Sequence, residues 1–495
     1  MTRRRNHFNK ISTKLIIFAL IFGICFLGFQ FITKTGLFKV PGVVTYDDSL
    51  NEEELGALKE IFTEEITLDQ DVKISASDYL EKPELKTGDY LYKIEVPVTD
   101  FYSSAANLNA ENLANLKEKA DNDQIKLIDI NNLDFTKKLL SVNHKYFLED
   151  FNSGAIFRVV HFESEKFDEE IRPLVDNKFH QNFPEKSTVL SFAQTGVTAL
   201  SRGVNRKLGE VEDPTYFSAN IKDYLSHFDL THTSNESSFS ELATDRNICS
   251  NPKFINTLKD IGLNIVELTG NHNQDCGNND AANTIDTYLE NNIKIVGGGK
   301  TATEAAKPLQ LDEKGNKITF LAYNQSTGGA TYGNTPGANQ YYEENAKTEI
   351  ENAKSRGDFV IVDVQYYECS AYVSETEDAT CDYADSSAGD QIGFFRHLID
   401  LGADLVVGTS AHQPQTFELY QDGVIYYGLG NLFFDQSWWP GTTRSLILAH
   451  YYYNGKLLQT KITPTAYNEN YQPSLLDEAS TEWFINRLVS ARPTY

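Results

Sequence analysis

The sequence predicts an α/β protein: an N-terminal transmembrane helix, a small α/β domain, and a larger α/β domain of mixed sheets flanked by helices. Three observations carry this. Residues 15–32 form one uncharged apolar run. From Ser187 onward, short apolar strands alternate with helical stretches, the pattern of an α/β sheet. After Gln415 the alternation gives way to hairpins, including an Asn454-Gly455 turn.

The first element is the anchor. Arg3, Arg4, Arg5, Lys10 and Lys14 precede Leu15–Ile32, and Lys34 closes the run. Eighteen apolar residues just suffice to span a bilayer. The basic flank belongs on the cytoplasmic side, which places everything after Lys34 outside. The alternative is a cleaved signal peptide, but no Ala-x-Ala-like site follows the run. A lipoprotein signal is weaker still, because Ile24 precedes Cys25 where a small residue is expected. The expected organisation is a basic tail and anchor over 1–36, a small extracytoplasmic domain over 37–186, the main domain over 187–470, and a C-terminal helix and tail over 471–495.

In the small domain, Glu52–Glu64 and Asn109–Lys119 read as helices, and Tyr90–Val98, Ile125–Ile130 and Ala155–Phe162 as strands. No catalytic motif stands out there, so a spacer or docking role is expected. In the main domain, strands are expected at Val189–Phe192, Asn264–Leu268, Ile293–Val296, Ile318–Ala322, Phe359–Val364 and Asp404–Val407. Helices are expected at Lys253–Ile261, with Pro252 near its first turn, at Ala281–Asn291 and at Gln391–Asp400. Hairpin strands follow at Thr416–Tyr420, Val424–Tyr427 and Leu446–Tyr453, and a last helix spans about Ser474–Arg492.

The net charge of −26 gives no nucleic-acid footprint. It also means that an anionic substrate needs local cations or a metal. Outside the apolar run the chain has Cys249, Cys276, Cys369 and Cys381, an even number that suits an oxidising compartment. Of the three pairings four cysteines allow, Cys369–Cys381 with Cys249–Cys276 is preferred. Metal ligation is the alternative, although no CxxC spacing is present.

Polar clusters follow the strand ends, where open α/β sheets bind ligands. They are Thr195-Gly-Val-Thr-Ala-Leu-Ser-Arg202, Ser234-Asn-Glu236, Asn271-His272 with Asp275, Gln365-Tyr-Tyr-Glu368, Gly408-Thr-Ser-Ala-His-Gln-Pro-Gln415, and Gly428-Leu-Gly-Asn-Leu-Phe-Phe-Asp435. Each has a plain alternative: Glu236 and Glu368 as solvated loop acids, His412 and Asn431 as turn residues. Six such clusters in one domain make that alternative improbable for the whole set. An Asn oxygen can hold a divalent cation, and a neighbouring His can protonate a leaving oxygen.

Four segments, Asn235-Glu236, Thr269–Gly277, Ala411–Gln415 and Tyr426–Asp435, resemble the CapA family of bacterial poly-γ-glutamate capsule synthesis proteins. The resemblance covers about residues 187–470. It implies a metallophosphatase-like sandwich and a role in making, anchoring or trimming a cell-envelope polymer such as poly-γ-glutamate. Three positions depart from the family pattern: Val197 stands where a Gly-Asp motif has its acid, Gln365 where His-Trp-Gly begins, and Ser410 where His-Pro-His begins. A dinuclear centre needs more hard ligands than remain, so one divalent metal ion (Mn, Zn or Mg) or none is expected. If the protein is an enzyme, His272 is the acid or base, Asp275 helps to position the reacting groups, and Arg202 is the local cation for an anionic group. Glu236, Asn271 and His412 would serve a metal, and Gln365, Glu368, Asn431 and Gln415 the substrate. Attack on an amide or on a phosphoester fits equally. The competing class is a non-catalytic polymer-binding or scaffold protein. Expected partners are the polymer or a small anionic substrate, the cytoplasmic membrane through residues 15–32, and other capsule-synthesis membrane proteins; nucleic acid is not expected.

Overall fold

The computed structural model describes residues 42–63, 66–118, 124–179, 181–326, 328–366, 390–437 and 440–492. The apolar run 15–32, Glu368 and the Cys369–Cys381 pair lie outside these. Among the described residues no helix is long and apolar enough to cross a membrane.

The described chain forms two compact units. The first contains residues up to Ile94 and Ile156–Asn182. Its elements are β1 (Val44–Tyr46), α1 (Glu52–Ile61), β2 (Val72–Glu81) and the start of β3 (Asp89–Asp100). β1 and β2 pair in parallel. Asn51 opens α1 with a full capping box, its side chain accepting from Glu54 N (2.9 Å) while Glu54 Oε2 accepts from Asn51 N (2.9 Å). Glu54 also meets Arg158 in a two-pronged pair, Nε to Oε1 and Nη2 to Oε2, both 2.7 Å. Leu58, Val72, Ile74, Val160, Phe162 and Phe179 are among the core residues of this unit.

The second unit contains Glu95–Ala155 and Phe183 onward. Residues 95–155, which the sequence reading groups with the preceding domain, therefore cluster with the main domain. They carry α2 (Ala110–Glu118), β4 (Ile125–Asp129) and β5 (Lys137–Leu139). β6 (Ser153–Glu163), from Ile156 on, and α3 (Arg172–Phe179) come next in the chain and belong to the first unit. The rest runs β7 (Leu190–Thr198), α4 (Gly203–Val211), β8 (Leu230–Asn235), α5 (Ile255–Asp260), β9 (Ile265–Glu267), α6 (Asn278–Glu290), β10 (Lys294–Val296), β11 (Leu309–Glu313) and β12 (Asn316–Asn324). Then come α7 (Glu343–Ser355), β13 (Phe359–Gln365), α8 (Gln391–Asp400), β14 (Leu405–Gly408), β15 (Phe417–Tyr420), β16 (Gly423–Tyr426), β17 (Asn431–Phe433), β18 (Arg444–Tyr453), β19 (Lys456–Tyr467), β20 (Pro473–Leu475) and α9 (Glu478–Ser490).

These strands make two sheets. One has the order β10-β9-β8-β7-β18-β19-β20, with β17 also beside β7. The other is β11-β12-β13-β14-β16-β15. In the first sheet β10, β9, β8 and β7 form a parallel half and β18, β19 and β20 an antiparallel half; in the second a parallel centre is flanked by the antiparallel edge strands β11 and β15. The inner faces meet through one apolar cluster that includes Phe192, Leu230 and Leu448 from the first sheet and Phe320, Ile361 and Tyr426 from the second. The rings of Phe192 and Phe320 meet edge to face at 5.3 Å. Helices α4, α5 and α6 cover the outer face of the first sheet, and α7 and α8 that of the second. The result is helix, sheet, sheet, helix. β13 (Phe-Val-Ile-Val-Asp-Val-Gln) is buried along its whole length, the continuous apolar run a parallel strand covered on both faces requires.

Candidate functional site

In both sheets the parallel strands end on loops rich in polar side chains. β8 runs into Glu236, whose N–H donates to Thr198 O (3.0 Å). Glu236 is 1% exposed. Gly270 lies directly against it: a Cβ there would stand 2.6 Å from Glu236 Cα. Only glycine allows this approach, and it brings Asn271 beside Glu236. From the second sheet, Gln365 closes β13. Its Nε2 donates to Asn271 Oδ1 (3.3 Å) and to Ser410 Oγ (3.1 Å). One amide thus links loops from both sheets. Nearby in sequence to Ser410, His412 Nδ1 lies 2.9 Å from Asn431 Oδ1, and the His412 ring packs 5.4 Å from Phe434. Asn431 donates in turn to Thr442 O (2.9 Å) and Gln436 Oε1 (3.2 Å).

His272 Nδ1 is 2.8 Å from Asp275 Oδ2, which leaves Nε2 as the ring atom for acid–base work. Their loop is anchored at three points. Asn273 Nδ2 donates to Leu268 O (2.8 Å), Gln274 Nε2 donates to Pro336 O (2.6 Å), and Cys276 is joined to Cys249 by a disulfide with Cα atoms 5.9 Å apart. That pairing is the one preferred from the sequence.

Two other candidates are engaged elsewhere. Arg202, read as the cation for an anionic group, bonds Asp435 Oδ1 through Nε (3.0 Å) and Nη2. Its guanidinium lies 4.8 Å above Phe434, and Asp435 Oδ2 also accepts from Gly203 N (3.0 Å). Gln415, 4% exposed, accepts from Gln391 Nε2 (3.1 Å).

The residues present do not fit a dinuclear metal centre. Val197 is fully buried within β7 and offers no donor. Among the described residues no three His, Cys, Asp or Glu side chains form a set able to hold a metal ion. Asn271 Oδ1 already accepts from Gln365. Apart from the Glu236 carboxylate and the His412 imidazole, the rim is built of amides and hydroxyls, where a two-metal site needs several anions.

Beneath it lies a polar cluster between the sheets that sequence reasoning missed. His232 Nε2 is 3.1 Å from Asp363 Oδ2, and both side chains are fully buried. Gln194 Nε2 donates to Asp363 Oδ1 (2.6 Å), and Gln194 Oε1 lies 3.3 Å from His450 Nε2. Glu267, fully buried, accepts from the N–H and hydroxyl of Thr269. Burial, then the Asp363 charge, pushes its carboxyl up to about 7. The available signal was an acid inside the apolar run of β13 and a His inside β8.

Residues 190–436 match the family described as bacterial capsule synthesis protein PGA_cap. The PGA biosynthesis protein CapA of Bacillus subtilis (strain 168) is 29% identical over 209 residues, 42% of this chain and 52% of that protein. The capsule biosynthesis protein CapA of Bacillus anthracis is 25% identical over 219 residues, 43% of this chain and 50% of that protein. The chain therefore spans about half the length of the curated relatives it matches. A solved Staphylococcus aureus structure, provisionally assigned as a 5′-nucleotidase and in complex with α-ketoglutarate, aligns over 61% of this chain and 58% of that chain, at 10% identity and TM-score 0.31. Through its strand-end segments at Asn235-Glu236, Thr269–Gly277, Ala411–Gln415 and Tyr426–Asp435, all within the matched residues, the chain belongs to the PGA_cap family of bacterial capsule synthesis proteins.

Proposed function

We propose that the protein acts in synthesis, anchoring or trimming of a cell-envelope polymer such as poly-γ-glutamate, and that its rim binds polymer, or a related small anion, without a two-metal centre. In this reading the chain is anchored through residues 15–32 with its domains outside, in company with other capsule-synthesis membrane proteins. The observation that supports binding is the Gln365 amide held between Asn271 and Ser410. Amides and hydroxyls present donors and acceptors to a polyamide backbone without the charge a phosphoryl site needs. Titration of the purified full chain with a γ-linked glutamate oligomer tests this. Saturable binding that Gln365→Leu weakens at least tenfold supports it; absence of binding refutes it.

One observation favours a second reading, hydrolysis. The His272–Asp275 pair orients the ring as acid–base dyads do. Here Glu236, Asn271 and His412 would hold a single divalent cation (Mn, Zn or Mg), which supplies polarisation of a carbonyl or phosphoryl oxygen when bound. His272 would move the proton at the leaving atom through Nε2. Product release from the oligomer that falls by about 10²–10⁴ on His272→Ala would replace the binding reading with this one.

A further inference from the structure

In the second unit, β5 is pinned to β19 by Gln459, which is 2% exposed. Its Oε1 accepts from Leu139 N (2.9 Å), and its Nε2 donates to the carbonyls of Asp134 (2.8 Å) and Lys137 (2.7 Å). Beside this clamp is a cavity of about 170 Å³ that shares no residue with the rim. Its walls carry three lysines and, among the described residues, no carboxylate. Two of the lysines are compensated from behind: Lys137 Nζ is 2.9 Å from Asp134 Oδ2 and Lys461 Nζ is 2.8 Å from Glu149 Oε1. Lys138 forms no ion pair among the described residues. Its Nζ donates to Ser103 O (2.7 Å), and an ammonium has two further protons to give. Phe101, Phe135 and Phe417 supply the apolar wall, the rings of Phe101 and Phe417 meeting edge to face at 5.6 Å.

We propose that this cavity is a second ligand site, which takes a small carboxylate with an apolar body and holds it by Lys138 Nζ. The charge balance selects the ligand class. One lysine without an ion pair suits a monoanion, whereas a phosphate brings nearly two charges. The volume sets the size, since an engineered cavity of about 150 Å³ holds benzene. Burial lowers the Lys138 ammonium to about 8, against the nearby charge of Glu482. At neutral pH it remains mostly charged, and a bound carboxylate would replace the hydration that burial removed. The other titratable groups around it are Asp134, Lys137, Glu149, Lys461 and Tyr146, and burial holds the Tyr146 phenol neutral.

The test is calorimetric titration of the full chain at neutral pH with two probes, L-glutamate and hexanoate. Saturable one-site binding is expected for hexanoate, the aliphatic monocarboxylate. Preference for glutamate, which has a second carboxylate and an ammonium in place of an apolar body, would overturn the ligand class. Lys138→Met should weaken binding at least tenfold, and raising the pH from 7 to 9 should weaken it about tenfold, as the ammonium titrates near 8. Binding should persist in Gln365→Leu, which separates this site from the rim. Should Lys138→Met fail to fold, trinitrobenzenesulfonate labelling of the native chain decides: Lys138 should react ahead of exposed lysines, and the bound probe should protect it. No saturable binding of either probe, undiminished binding to Lys138→Met, or labelling without protection overturns the proposal.

Discussion

Glu267→Gln should make the protein more resistant to unfolding at alkaline than at acidic pH, relative to the native chain. The native Glu267 carboxyl titrates near 7, against an ordinary value of 4.5. Its folded pKa is raised, so the stability it contributes is complete below about pH 4.5 and is lost as the pH climbs through 7. Each pH unit in that window costs roughly 1.4 kcal/mol, and the whole shift about 3 kcal/mol. Glutamine keeps an oxygen to accept from Thr269 but cannot ionise. It also puts an amide where Oε2 has no hydrogen-bond partner among the described residues, which can cost about 1–3 kcal/mol at every pH. The pH-dependent part of the difference is therefore the measurement. Urea unfolding of both proteins between pH 5 and 8 should show the variant gaining on the native chain by about 2.5 kcal/mol in total. In the native protein alone the slope is hidden, because His450 acts in the opposite sense. A difference that stays flat from pH 5 to 8 would refute the claim that Glu267 is held protonated by burial and Asp363.

His450→Gln exposes the opposite slope. Burial, then the His232 charge, lowers the His450 imidazole from 6.5 to about 3, so native stability falls below pH 6.5 by roughly 1.4 kcal/mol per unit, and acid titration of unfolding should lose that slope in the variant. Arg158→Ala leaves the buried Glu54 carboxylate without its two-pronged partner; denaturant melts should show a loss of about 3–5 kcal/mol, confined to probes in the first unit. Reducing Cys249–Cys276 opens a loop of 27 residues and should cost about 3.5 kcal/mol on the chain-entropy account, with proteolysis appearing first in the Asn271–Asp275 loop. Gly270→Ala drives a methyl into the backbone at Glu236 and should cost about 1–3 kcal/mol and weaken rim binding together.

Elements whose apolar run is continuous and bounded by turn residues were legible to within a residue or two. Gln391–Asp400 begins after Asp390, whose side chain caps Gly393 N, and β13 ends one residue beyond the expected Val364. Two elements with few apolar residues among charged and polar ones escaped. α7 (Glu-Glu-Asn-Ala-Lys-Thr-Glu-Ile-Glu-Asn-Ala-Lys-Ser) buries only Ala346, Ile350 and Ala353, and small residues among charges read as a solvated stretch. β19 alternates threonine, lysine and glutamine with its apolar positions, and its identity comes from long-range pairing with β18. The grouping of Glu95–Ala155 with the second unit is tertiary too: Gln459 holds Leu139 across 320 residues of chain, and no local pattern encodes that.

The rim and the cluster beneath it differ in legibility for a physical reason. Rim residues fall in runs after strand ends, where glycines and Asx residues mark the turn that exposes them, so Asn271 and His412 announce themselves. Glu267, Asp363, His232 and Gln194 each occupy an interior strand position, and each looks like one polar exception in an apolar or mixed run. Only the stacking of two sheets brings them together, with Gln194 from β7 reaching Asp363 on β13 at 2.6 Å. Burying three ionisable groups there costs folding energy unless they compensate one another. The compensation is partial, since Asp363 has His232 and Gln194 while Glu267 holds its proton only up to about pH 7. A core free of function would gain by replacing such a cluster with apolar side chains. Its position directly under the strand ends that present Glu236, Asn271 and Gln365 ties that cost to the rim, because Glu267 and Asp363 lie within the strands that lead to Asn271 and Gln365.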